Sequence, residues 1–356
     1  MSYAFTLAQV ADSGRTAAKQ LVGKSDGSRE TFPYDNVRHW HFQPKQVAGH
    51  AGMAALLQKL ADRRDIMLVM GGIRPGLDLR KTQLRRWAGV DPARNTLLDV
   101  PRSWLAIDVD GYHVPAPLGL AEYLPDAAAA IRDDALGDFA GVACVVAATS
   151  STGLAGEDTA RLRLFFLLDA AHPIADLHRW ARGAQLAGLP VDPAVMQPGQ
   201  PISTSRPVFR GVLTDPVPAQ LRAFVLPAAG GGDRAAIDIH GYDRQAEVVQ
   251  RHVDHAWAQC GGDWRQLLDE TLGGPAGFFL PATRALGLAA RSPDDEATII
   301  GHVAALVAAR ADEGRQRQYG PRWVQSTLRR FRTIDGMASG DIAQKRRQLF
   351  TGGGNG

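Results

Sequence analysis

Strand-forming runs stop near residue 228. Before that point, short apolar or alternating segments are interleaved with helical patterns. After Ala228-Ala229-Gly230-Gly231-Gly232-Asp233, only helical spacing remains. This partition predicts an α+β fold in two parts: a mixed α/β portion over 1–227 and an all-helical portion over 237–350, joined by a linker at 228–236. A chain of 356 residues also exceeds what one hydrophobic core usually holds.

Within the first part, residues 1–30 are polar and weakly patterned and predict a loose lead-in. Gly23-Lys24-Ser25 has the ending of a phosphate-binding loop. The position where that motif needs its first glycine is Ala18, however, and no apolar strand precedes it. The segment 31–47 reads as extended, and 52–64 as an amphipathic helix with Met53, Leu56, Leu57 and Leu60 on one face. Ile66 to Met70 reads as a strand, and a helix is expected near 119–136. Strands are expected at 141–148 and 161–168, then a helix over 174–187. After the linker, helices are expected near 242–260, 263–272, 277–291, 294–313 and 320–335.

The chemistry concentrates in Ser103-Trp104-Leu105-Ala106-Ile107-Asp108-Val109-Asp110-Gly111. The run is too short for a helix and bulky enough for a buried strand. Residues i and i+2 of a strand share a face, so Asp108 and Asp110 project side by side while Val109 points into the core. Two adjacent carboxylates repel unless a cation lies between them, and hard divalent ions take carboxylate and phosphate oxygens. Turn chemistry alone would also put Asp and Gly at a strand end.

The net formal charge is +3, unevenly spread. Arg315, Arg317, Arg322, Arg329, Arg330, Arg332, Lys345, Arg346 and Arg347 stand against Asp335 and Asp341, and Arg74, Arg80, Lys81, Arg85 and Arg86 form a second cluster. Solvated helix faces would explain either cluster. Both flank the carboxylate run, as a polyanion-binding protein would have them. No apolar run is long enough for a membrane span, and the N-terminus lacks a secretion pattern. Cys144 and Cys260 are too far apart in sequence for a zinc knuckle or a disulfide framework, so a cytoplasmic location is expected.

Three further segments matter. Thr149-Ser150-Ser151-Thr152-Gly153 closes one strand with hydroxyls and a glycine, and Arg161, Arg163 and Phe165 alternate with Leu162, Leu164 and Phe166 in the next. Val191-Asp192-Pro193 then leads to Gln200-Pro201-Ile202, with Arg206 and Arg210 beyond. Taken in order, the Ile107–Asp110 strand, the Ser-Ser-x-Gly turn with its following strand and the Asp192 segment resemble the archaeo-eukaryotic primase superfamily. They resemble in particular the primase-polymerases of plasmids, phages and integrative elements. The resemblance covers about residues 100–215, and the helical part looks like the C-terminal primase domain that often follows.

That resemblance implies a catalytic core of an RRM-like sheet beside a smaller α/β unit. It implies Asp108, Asp110 and Asp192 as catalytic ligands of Mg²⁺ or Mn²⁺. Ser150, Ser151, Gly153, Arg163 and Arg206 would meet a nucleoside triphosphate, and Arg322, Arg329 and Arg330 would grip a single-stranded DNA template. The implied reaction is DNA-templated nucleotidyl transfer, in partnership with a protein such as a replicative helicase. One position departs from the pattern. The family's strand after the turn carries a histidine where this chain has Arg163, and His172 and His178 fall after the expected strand. Arginine keeps its charge and binds phosphate, but it does not donate a proton at neutral pH. A non-catalytic replication initiator is therefore the alternative. A further alternative is a tyrosine nuclease built on His39-Trp40-His41, with Tyr34, Tyr112 and Tyr242 as candidate nucleophiles.

Overall fold

The computed structural model describes all residues except 1, 36, 88–91, 114–120, 155–158, 188, 260, 262, 274–278, 291, 312–315, 317–318, 322, 326 and 329–356. It is a mixed α+β structure, and it divides into one unit over Met1–Tyr242 and a second over Asp243–Gly356.

The first unit begins with a strand, not the loose lead-in expected. β1 (Ser2–Val10) is the middle of a five-stranded sheet and is covered on both sides. Tyr3, Phe5 and Leu7 belong to the main core, and Ala8 and Val10 to a second cluster with Trp40 and Phe42. Burial of both faces removes the polar-apolar alternation by which an exposed-face strand announces itself. β2 (Gln20–Gly23) and β3 (Arg29–Phe32) form a hairpin, so Gly23-Lys24-Ser25 is the start of its turn. β4 (His39–Ala48) pairs antiparallel with β1 and runs directly into α1 (Gly49–Ala61). β5 (Ile66–Val69) pairs with the other edge of β1. The short β6 (Gly72–Ile73), β7 (Gln83–Leu84) and β8 (Leu97–Leu98) follow.

The second sheet starts with β9 (Arg102–His113), the carboxylate strand. α2 (Leu124–Ala130), β10 (Cys144–Ala148), β11 (Thr159–His172) and α3 (Ile174–Leu186) come next. β12 (Ile202–Ser203) and β13 (Val208–Gly211) join other sheets, and β14 (Ala223–Leu226) completes this one in the order β14-β10-β11-β9. All its pairs are antiparallel. The element order βαββαβ is that of a split βαβ sheet. An RRM-like sheet, however, would place its last strand beside the first. Here β14 lies beside β10, which leaves β9 on an edge among the described strands.

The two faces of this sheet separate by residue parity. Phe166 meets Phe139, which in turn meets Trp180 of α3. On the opposite face Trp104 stacks on Phe5 of β1 with ring centroids 4.5 Å apart and touches Phe165. The first sheet is thus packed against the same face of the second that carries the even-numbered residues of β9. Burying such aromatic pairs contributes about 0.5–1.5 kcal/mol each beyond area alone.

The expected linker is docked, not free. Ala229 and Gly231 donate backbone N–H bonds to the Gly141 carbonyl at 2.7 and 3.0 Å, and the Gly232 carbonyl accepts from Ala143 at 2.9 Å. A Cβ on Gly231 would lie 2.4 Å from the Ala140 carbonyl oxygen, so glycine is required for this approach. Ala235 is fully buried and bonded to Leu167. The boundary between the units therefore falls after Tyr242 and not at 228–236.

In the second unit, α4 (Asp243–Gln259), α5 (Trp264–Thr271), α6 (Phe279–Ala289) and α7 (Glu296–Arg310) are present. Asp263 and Asp295 cap α5 and α7 by accepting from Arg265 N and Thr298 N. Trp264, Leu267, Leu286, Ile299 and Val303 form its core. No described helix is long and apolar enough to cross a membrane. Of the helix expected over 320–335, residues 321, 323–325 and 327–328 are helical.

Candidate active site

β9 is fixed at its start and open at its end. Arg102, 5% exposed, donates to the carbonyls of Ala4, Met70 and Gly71 and to Thr6 Oγ1. Burial lowers its pKa to about 10, so it stays charged at neutral pH. This clamp ties β9 to β1 and to the end of β5. Trp104 Nε1 adds a bond to the Ala4 carbonyl at 2.9 Å. Two residues at a time along the same face come Ala106 and then Asp108, where the core gives way to a partly exposed side chain.

Asp108 stands directly opposite Arg163 of β11. Arg163 Nη2 donates to Asp108 Oδ2 at 2.6 Å, and Nη1 donates to the Ser203 carbonyl at 2.7 Å. The Arg163 side chain is 10% exposed and that of Asp108 24%. Arg163 thus joins three elements: its own strand, β9, and β12 of the other sheet. One step along the ladder, Asp110 is opposite Arg161, and a register shift there leaves Gly111 without a partner. Such a bulge re-aims the strand end. The Asp110 side chain lies outside the described residues.

Asp192 is exposed and caps the 3-10 turn Pro193–Met196, its Oδ1 accepting from Ala194 N at 2.9 Å. That turn packs against β9. The sequence-predicted acids accordingly sit on one strand and on a turn abutting it. No group of three His, Cys, Asp or Glu side chains able to hold a metal occurs among the described residues. Asp108 uses a single oxygen toward Arg163, so its carboxylate fits as one ligand of a hard cation. In this structure the guanidinium supplies the neutralising charge.

The turn after β10 is held by a residue sequence reasoning passed over. Thr152, buried, accepts from Thr149 N at 2.9 Å and donates to the Arg161 carbonyl. Ser150 and Ser151 are half-buried beside it. Gly153 adopts φ +73° against Ala121 and Pro216, a conformation suited to glycine. Arg206 is drawn to α1: its Nη2 meets Asp62 Oδ1 at 2.8 Å and its backbone N–H bonds Ala61. Arg322, Arg329 and Arg330 lie outside the described residues.

Neither His172 nor His178 joins the Asp108–Arg163 pair. His172 ends β11, opposite Arg102 at the far end of the ladder from Arg163, and so belongs to the strand it was expected to follow. His178 is on α3, where burial lowers its pKa to about 4. In β4, Trp40 is buried between His39 and His41, and His39 Nδ1 is 3.1 Å from Asp12 Oδ1.

No protein-family model matches this chain, and no curated protein matches it. One solved structure, that of the primase RepB′, is similar over 97% of this chain and 94% of that one, at 12% identity and a TM-score of 0.26.

Proposed function

We propose that this chain performs DNA-templated nucleotidyl transfer as a primase or primase-polymerase, with Asp108, Asp110 and Asp192 as ligands of Mg²⁺ or Mn²⁺. The observation that carries the reading is the Asp108–Arg163 pair. It brings the acid of one motif and the phosphate-binding cation of the next into contact, at the edge where the two sheets meet. In sequence these residues are 55 positions apart.

When bound, such ions supply an activated 3′-hydroxyl and stabilise the departing pyrophosphate. The chain's own residues position the reactants. The clamp at Arg102 fixes β9, so the carboxylate end of the strand keeps its place. Arg163, held in place by one bond from each terminal nitrogen, keeps further N–H groups for phosphate oxygens. The turn from Thr149 to Gly153, with Ser150 and Ser151, lines the nucleotide side, and Arg206 borders it. Arg322, Arg329 and Arg330 are assigned to the template strand.

A second reading is favoured by one specific feature: Asp108 is already neutralised by an arginine. A replication initiator without catalysis would keep that ion pair and need no metal. Manganese titration followed by electron paramagnetic resonance, with and without nucleoside triphosphate, separates the two. Catalysis predicts that Mn²⁺ and nucleotide each tighten the other's binding and that Asp108→Asn abolishes the coupling. Nucleotide binding indifferent to Mn²⁺, with DNA binding intact, would establish the initiator.

A further inference from the structure

Several buried polar atoms that the site described above does not use lie on one circuit of contacts. Thr204 Oγ1, Ser205 Oγ, Arg163 Nε, and Arg222 Nε and Nη1 are all enclosed and make no hydrogen bond among the described residues. Ser205 is 7% exposed and Arg222 6%. An unmatched buried donor costs about 1–3 kcal/mol, and more when charged, so a group of them calls for a missing acceptor.

The residues that carry these atoms are linked by a chain of contacts that runs around the end of β10. Arg163, in register with Ala147, reaches the Ser203 carbonyl. Thr204 and Ser205 follow Ser203, and Arg206 then attaches to Ala61 and Asp62 at the end of α1. One helical turn earlier, Gln58 Nε2 donates to the carbonyls of Gln220 and Ala223, on either side of Arg222. The Arg222 carbonyl accepts from Ala148 at 3.1 Å, which returns to β10. Arg222 is held from outside by Asp215, whose side chain is 25% exposed, and Arg206 at 47% forms the other rim.

The unmatched atoms are two hydroxyls and guanidinium N–H groups from two arginines, a set suited to phosphate oxygens. The donors are enclosed, so the ligand's charge must enter end-on. A terminal polyphosphate can do this, whereas the middle of a continuous strand cannot. We infer that Thr204, Ser205 and Arg222, together with Arg163, form an oxyanion cradle for the triphosphate tail of the nucleotide, and that it holds polyphosphate without a divalent ion. The inference rests on the proposed nucleotidyl transfer for the identity of the ligand. A DNA backbone phosphate offers the same oxygens, and the test separates the two.

The test is calorimetric titration of the full chain with inorganic tripolyphosphate in EDTA, and separately with single-stranded DNA. Thr204→Ala/Ser205→Ala removes two small hydroxyls without altering the fold's charges, and thermal melting of each variant confirms folding. Wild type is expected to bind tripolyphosphate. The double variant should lose about tenfold in affinity, the scale of one or two hydrogen bonds to a charged group. Arg222→Gln should lose more and Arg222→Lys part of that, with DNA affinity unchanged throughout. No tripolyphosphate binding by wild type overturns the cradle, as does unchanged affinity in folded variants. Loss of DNA binding with tripolyphosphate binding intact overturns the assignment to a nucleotide. Tripolyphosphate binding lost as expected, in a protein that synthesises nothing on any template, rejects nucleotidyl transfer and leaves the cradle standing.

Discussion

At the scale of single residues, the account turns on what neutralises Asp108. The Arg163 guanidinium neutralises the charge that would draw a divalent ion to the other carboxylate oxygen. Removing the guanidinium should therefore strengthen metal binding and weaken nucleotide binding. Arg163→Gln is expected to raise Mn²⁺ affinity in the absence of nucleotide by about tenfold, the effect of deleting a competing charge in a partly buried pair. The same change should lower affinity for nucleoside triphosphate, and titration of each ligand alone checks both signs. The position was readable in sequence as a departure from a motif, and the alternation over 161–166 put it on a strand. That its partner would be Asp108 was not readable, because register depends on a connection of more than forty residues. Arg222, Thr204 and Ser205 left no such sign: a hydroxyl-rich run beside arginines looks the same in any loop. Cys144 gives a plain check on burial at this scale. It is fully buried with its pKa pushed up to about 12 by desolvation, so a thiol reagent at pH 8 should modify it only after denaturation.

At the scale of elements, the strand that carries Asp108 and Asp110 was legible and the strand that supports it was not. β9, β10 and β11 were readable from bulky runs ending in polar turns, and α1 and α3 from their apolar stripes. β1 escaped because both its faces are buried: small Ala4, Thr6 and Ala8 fill the positions between Tyr3, Phe5 and Leu7, and the result reads as unpatterned. Its importance is testable. Phe5 stacks on Trp104, so Phe5→Ala opens a cavity under the site strand and should cost about 3–5 kcal/mol of stability, measured by denaturant unfolding. Arg102→Met should destabilise by a similar amount, about 3–5 kcal/mol, because it removes all four hydrogen bonds of the buried clamp. Glycine runs were also misread at this scale. Gly230 to Gly232 has the composition of a tether, yet glycine is used there for close backbone contact with Gly141.

At the scale of the whole molecule, the chain divides after Tyr242 and not at the glycine run. Tyr242 packs edge-on against Trp180 of α3, which gives that boundary a physical basis. A fragment of residues 1–242 should accordingly unfold in one cooperative transition. A fragment ending at 227 removes the contacts of residues 229–242 with Gly141, Leu167 and Trp180, and should melt lower or fail to fold. Scanning calorimetry of the two distinguishes these boundaries. The function claimed for the intact chain is templated synthesis centred on the β9 carboxylates. Its most direct test is incorporation of labelled nucleotides on single-stranded DNA with Mg²⁺ or Mn²⁺, with and without a primer, comparing wild type with Asp108→Ala/Asp110→Ala. The account predicts template-dependent product from wild type and none from the folded double variant. Product of equal yield from both, or none from wild type with either metal while DNA and nucleotide still bind, would contradict it.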